Sequence, residues 1–147
     1  MNIEEFNLKD KVKKLSKDIG FVPESDTDFF VDTALARAAA EVATERHAGL
    51  IKEITSFHGT VYALFGKDLT EIKTLVGTGG VFAYGKSPER VLETALLNES
   101  NPIVLKPKKP KLYIDEKYLI YAVGLLSKVA PTKALRIAKK YLREICS

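Results

Sequence analysis

Ile72-Lys73-Thr74-Leu75-Val76-Gly77-Thr78-Gly79-Gly80, followed after a short spacer by Ser87-Pro88-Glu89-Arg90, is the stretch on which the reading of this chain turns. An apolar run ends in a glycine cluster, and helix-start signals follow at once. That is the pattern of a strand feeding a tight loop and then a helix. Glycines suit such a loop because, lacking a Cβ, they reach φ > 0 and let the backbone approach a ligand closely. The loop would lie at the carboxyl end of its strand, where ligands of α/β sheets bind. The stretch lacks the Gly-Lys-Ser/Thr ending of a phosphate loop. It is not Gly-x-Gly-x-x-Gly either, since Val81 and Phe82 follow Gly80. On spacing alone, a plain strand-to-helix turn and a ligand-facing loop both remain open.

Downstream, Ser87 reads as an N-cap, Pro88 as the first helical residue, and Val91, Leu92, Ala95 and Leu96 as the buried face. Pro102, Pro107 and Pro110 enforce extended chain, so Ile103-Val104-Leu105 and Lys111-Leu112-Tyr113-Ile114 read as short extended pieces forming an edge strand. Asp115 is expected to cap a helix running to about Lys128, with Leu119, Ile120, Val123, Leu126 and Val129 apolar. Gly124 sits inside that helix at a cost of ~1 kcal/mol against alanine, which points to something packed close to it. Pro131 opens a last helix whose inward residues run from Ala134 to Ile145.

Upstream, Leu8, Val12, Leu15 and Ile19 recur at helical spacing, and Gly20 ends that helix. Ser25 to Asp28 form a capping cluster ahead of an alanine-rich helix from about Phe29 to His47. In that helix Ala34, Leu35, Ala38, Ala39, Val42 and Ala43 make a stripe fit for close helix packing, and Gly49 supplies the stop. The period then changes. Ile51 to Phe57 and Thr60 to Gly66 read as strands of a hairpin turning at His58-Gly59. With the strand ending at Gly77 they are expected to form one antiparallel or mixed sheet, its third member buried.

The 147 residues fit one domain, long enough to bury roughly 70% of the surface of the unfolded chain. Composition is ordinary for a globular protein, at 46% apolar and 29% charged. No apolar run approaches the ~20 residues of a membrane span, and Met1 to Lys11 has no apolar secretory core. A lone Cys146 excludes an internal disulfide and fits a reducing, cytoplasmic setting. One cysteine and two histidines assemble no metal cluster. The net charge of +4 concentrates in Lys9, Lys11, Lys13, Lys14 and Lys17, and in Lys106, Lys108, Lys109 and Lys111. Neither group carries interleaved aromatics for stacking bases, so solvated surface is the plainer reading and nucleic acid the last hypothesis. Among smaller candidates, His58 has no nucleophile or carboxylate tied to it by spacing. His47 suits a helix C-terminus, and Arg37 with Glu41 suits a surface i,i+4 pair.

Several phrases stand together in a recognisable order: Glu45-Arg46-His47-Ala48-Gly49, Gly66-Lys67-Asp68-Leu69-Thr70, Val76-Gly77-Thr78-Gly79-Gly80, Leu105-Lys106-Pro107, and Tyr118 to Leu126. In these the chain resembles the MutL/GlmL family of accessory proteins to glutamate mutase and related adenosylcobalamin-dependent mutases, which is distinct from the mismatch-repair protein of similar name. The resemblance covers essentially the whole chain, most closely Phe29 to Leu142, and matches the C-terminal part of the family's usual protein. It implies an α/β fold: a partial ribonuclease-H-like (actin-like ATPase) domain over residues 1–147, with a small three-stranded or mixed sheet flanked by about five helices.

The resemblance further implies that Gly77, Thr78, Gly79 and Gly80 are the adenosine motif of an ATP or ADP site. It likens Asp115 to Leu126 to a connecting helix whose small Ala122 and Gly124 allow a helix crossing. The chain departs from the group in having no Asp-x-Gly-x-Thr hairpin to hold phosphates and magnesium. Without that cradle nothing positions a transferring phosphoryl group, so half a nucleotide site is expected, with weak or no nucleotide binding and no catalytic residue. The implied role is a chaperone-like reactivating factor. The partners would be a mutase subunit, the missing N-terminal part of the same protein, and a second copy through exposed apolar surface. Two other classes stand beside it: an interaction module without nucleotide, and a fragment of a small-molecule kinase.

Overall fold

The computed structural model describes residues 8–18 and 20–145. The expectations for the acidic amino terminus before Leu8, for Ile19 and for Cys146 lie outside the described residues. The chain opens with α1 (Leu8–Leu15) and α2 (Asp26–His47). Ser25 starts α2 with a reciprocal cap: its Oγ accepts from the Asp28 N–H at 3.1 Å, and its own N–H donates to the Asp28 carboxylate at 3.2 Å. Lys11 Nζ reaches the same carboxylate at 2.6 Å, which ties α1 to α2. Hydrogen bonds from Lys11 and then Ser25 lower the Asp28 pKa from 3.8 to about 2.

The stop of α2 differs from the expectation. Ala48 is the C-cap, its N–H bonded to Thr44 O, and Gly49 serves the next step instead. Gly49 donates to Lys67 O at 2.6 Å and accepts from the Leu105 N–H at 2.8 Å. It therefore joins three segments where no side chain fits. Then β1 (Leu50–Ser56) and β2 (Gly59–Phe65) form an antiparallel hairpin, with Gly59 at φ +115° in its turn. Ile54, Val61, Tyr62 and Leu64 are all exposed along it.

The hairpin stays a separate two-stranded sheet and does not join the strand ending at Gly77. That strand, β3 (Thr74–Gly77), leads through α3 (Gly80–Tyr84) and α4 (Pro88–Glu93) to a parallel partner, β4 (Lys111–Asp115). After α5 (Ile120–Ser127) and α6 (Pro131–Tyr141), β5 (Leu142–Ile145) returns antiparallel to β4. A small mixed α/β fold is thus present among the described residues, with six helices and two small sheets. Its three-stranded mixed sheet has other members than expected. The strand at Lys111 is its centre rather than an edge, and β3 is an edge, buried only at Gly77. The prolines permit this because all three precede β4, so no ladder N–H is lost. The last helix ends at Tyr141, because Leu142 and Ile145 pair with Asp115 and Leu112.

The core is small. Its buried residues include Ile114, fully covered, and Leu112 on β4, Val91 and Leu92 of α4, Val31 of α2, and Ala134 of α6. The alanine stripe of α2 is not part of it. Ala34, Leu35, Ala38, Ala39, Val42 and Ala43 face outward, while Val31, Ala36 and Ala40 lie on the covered side. Gly124 likewise has nothing within 4 Å of its missing Cβ, so no neighbour within the described residues requires it. Large apolar side chains stay exposed among the described residues, Tyr121, Leu125 and Val129 on and after α5 among them. Among the described residues no helix is long and apolar enough to cross a membrane.

Candidate functional site

The glycine cluster lies where β3 ends and α3 begins, and its four residues take four different roles. Gly77 is buried. A Cβ there would meet the Phe82 ring at 2.4 Å, so the ring packs on bare backbone. Thr78 turns its hydroxyl away from the loop and donates to Asp115 Oδ2 at 2.9 Å. Gly79 takes φ +111°, a conformation glycine alone adopts cheaply, and its carbonyl accepts from the Phe82 and Ala83 N–H groups. Gly80 has ordinary φ. Neither Gly79 nor Gly80 has any atom within 4 Å of a built Cβ, so both present bare backbone to open space.

Asp115 is the residue that sequence reading undervalued. It ends β4, beside the end of parallel β3, and is 2% exposed. It is not the residue adjoining the helix. From the strand it accepts the Leu119 and Ile120 N–H groups, each at 2.9 Å, along with the Thr78 hydroxyl. The helix start is therefore satisfied across a four-residue turn in which Tyr118 takes φ +51°. Burial opposes ionisation of Asp115, but the donors from Ile120, Leu119 and Thr78 together outweigh it and hold its pKa below 3.8. A depressed folded pKa means the carboxylate stabilises the fold fully above 3.8. That contribution is lost as pH falls through the folded value. The signal available in sequence was positional: Thr78 and Asp115 each close an apolar extended run.

Beside the loop lies a cleft of about 310 Å³, walled by Phe21, Pro23, Phe29, Asp32, Gly80 and Tyr84. Lys86 Nζ stands 4.6 Å from the centre of the Phe29 ring and also pairs with Asp26. The cleft is mostly apolar, with Asp32 among its lining residues. Ser87 occupies the cap position of α4 but its hydroxyl caps nothing, while Pro88 is at N1 as expected.

Other singled-out residues lie apart from this region. His58 is at the hairpin tip, its N–H bonded to Ser56 Oγ. Among the described residues Arg37 and Glu41 form no ion pair and instead line a groove with Leu96 and Asn98, and Glu45 pairs with buried Lys106 at 3.5 Å. Among the described residues no three or more His, Cys, Asp or Glu gather as for a metal.

Comparison with known proteins bears on the whole chain. The family described as "MutL protein" matches residues 1–142. Protein MutL of Clostridium tetanomorphum is 38% identical over 133 residues, which cover 90% of this chain and 29% of that protein. The chain thus spans less than a third of that relative's length. No solved structure matches it.

Proposed function

The chain belongs to the MutL protein family, and from that premise we propose that it is the C-terminal part of an accessory protein to an adenosylcobalamin-dependent mutase such as glutamate mutase. In this reading the chain supplies the adenosine half of an ATP or ADP site in an actin-like ATPase. The observation that carries the reading is the bare backbone of Gly79 and Gly80 beside the apolar cleft. A ribose can lie on that backbone with its base against Phe29 and Tyr84. The groups that would grip the β- and γ-phosphates belong to a part beyond these 147 residues, so the chain alone turns nothing over. Closure of the two parts over nucleotide would loosen the mutase and let damaged cofactor leave, in the cytoplasm where such enzymes act.

Gly80→Val tests the reading cleanly. The space is open and φ is ordinary, so stability should stay within about 0.5 kcal/mol of the parent, while ADP affinity falls about ten-fold or more. Calorimetric titration and a thermal melt read the two effects. Unchanged ADP affinity would remove the loop from any nucleotide site. Phosphate release by the purified chain, lost on changing Gly79 or Gly80, would overturn the half-site reading in the other direction.

A second reading is favoured by one observation, the exposed apolar faces of the hairpin and α5. Here the chain is an interaction module that binds a mutase subunit, or a second copy of itself, without nucleotide. Tight mutase binding that is indifferent to ADP and to Gly80→Val would favour it.

A further inference from the structure

The groove of about 650 Å³ between residues 70–74 and 108–111 draws Lys73, Lys108, Lys109 and Lys111 around Thr70 and Ile72. We propose that it is a docking site for an acidic segment of a partner protein. Its frame is fixed by backbone hydrogen bonds. Lys108 N–H donates to Thr70 O at 3.3 Å, Lys111 N–H to Lys73 O at 2.9 Å, and Leu69 N–H to Leu105 O at 3.0 Å. Below the lysines, Leu105, Lys106 and Pro107 are buried and anchor the loop. The ammonium groups therefore project from a rigid base, and little backbone order must be found on binding.

Their charge is only partly answered. Lys111 pairs with Glu144 at 3.4 Å, and Lys106 is drawn inside to Glu45. Lys73 and Lys109 form no ion pair among the described residues. The choice of occupant follows from the rest of the lining. No aromatic ring lines the groove, so nucleic-acid bases would find no stacking surface. Glu71 within it, and Glu144 beside Lys111, would repel a continuous run of phosphates. An extended peptide can space its carboxylates to meet Lys73 and Lys109 and lay an aliphatic stem on half-buried Ile72. The groove sits at the amino ends of parallel β3 and β4, the opposite end of the sheet from the glycine loop. It therefore stands or falls independently of the nucleotide reading.

The test uses the 147-residue chain and a fluorescent peptide of roughly ten residues alternating Glu and Ser, long enough to cross the groove when extended. Anisotropy should report binding that weakens from about 50 to about 200 mM salt. Lys73→Glu with Lys109→Glu should weaken it about ten-fold, while Lys13→Glu with Lys139→Glu, equal in charge change, should leave it within about two-fold. Thermal melts check folding, and Lys73→Gln with Lys109→Gln replaces the reversal pair if that pair does not fold. Equal loss in both pairs would mean diffuse charge attraction and overturn the proposal. So would the absence of peptide binding, or a single-stranded oligonucleotide of equal length that binds more tightly through the same two lysines.

Discussion

Asp115→Ala is expected to cost about 3–5 kcal/mol of folding stability, the largest loss from any single side chain outside the apolar core. The carboxylate is 2% exposed and accepts three hydrogen bonds, from Thr78, Leu119 and Ile120. Truncation leaves two N–H groups at the start of α5 and one hydroxyl without their acceptor. Each such orphan costs roughly 1–3 kcal/mol, and the lost bonds were charge-assisted. For a chain of this length the melting temperature should fall by ~10 °C or more. Asp115→Asn retains one acceptor oxygen and should lose about 1–2 kcal/mol. Urea unfolding as a function of pH adds a second readout. The parent should lose stability as pH drops below 3.8, and the alanine variant should lack that share of the acid dependence. An alanine variant within about 1 kcal/mol of the parent would show that the β3 and β4 ends are held together by something else.

Gly49→Ala should be nearly as damaging, at about 3 kcal/mol, although it adds one methyl group. The new Cβ would stand 2.5 Å from Phe65 O, 2.8 Å from Lys67 N and 2.9 Å from Gly66 C. Those atoms are all backbone, so no rotamer change relieves the clash. The segments from α2, β2 and residue 105 would have to part, and with them the hydrogen bonds at 2.6 and 2.8 Å that meet on Gly49. Gly124→Ala is the matched contrast. With nothing within 4 Å and a helical backbone, it should stabilise by about 0.5–1 kcal/mol. Chemical denaturation of both variants measures the difference. If Gly49→Ala proved neutral, the joint between α2 and the hairpin would be looser than described.

These contrasts mark what local sequence can and cannot carry. The hairpin was legible because β-branched and aromatic residues alternate on both sides of Gly59. The start of α2 was legible because Ser25 and Asp28 are spaced for a reciprocal cap, and Pro88 marks the first turn of α4 by itself. Each of those signals is complete within a few residues. The strand nature of Leu142–Ile145 was not legible, because its hydrogen bonds run to β4, far back in the chain. Nor was the Thr78–Asp115 contact, whose members are 37 residues apart. The alanine stripe misled for a related reason: a run of small residues announces that a face can pack closely, not what packs on it. Glycine was ambiguous in the same way. Gly49 is required by backbone neighbours, Gly79 by its φ, and Gly124 by nothing among the described residues.

At the site, the bare backbone of Gly79 and Gly80 at the end of β3 could be read from residue type, while the cleft beside it could not. Phe21 and Pro23 come from the connector before α2, Phe29 from its first turn, and Tyr84 from the end of α3. Only the fold brings them to Gly80.

Titrating ADP into isotope-labelled protein and following the backbone amides by NMR tests most directly whether residues 77–80 wall a nucleotide cleft. The expected result is weak, saturable binding with a dissociation constant on the order of 1 mM, with the largest shifts at Gly79, Gly80 and Val81 and smaller ones at Phe29 and Tyr84. Amides of Gly77 to Gly80 that stay fixed while ADP shifts only the lysine groove, or shifts nothing, would contradict it.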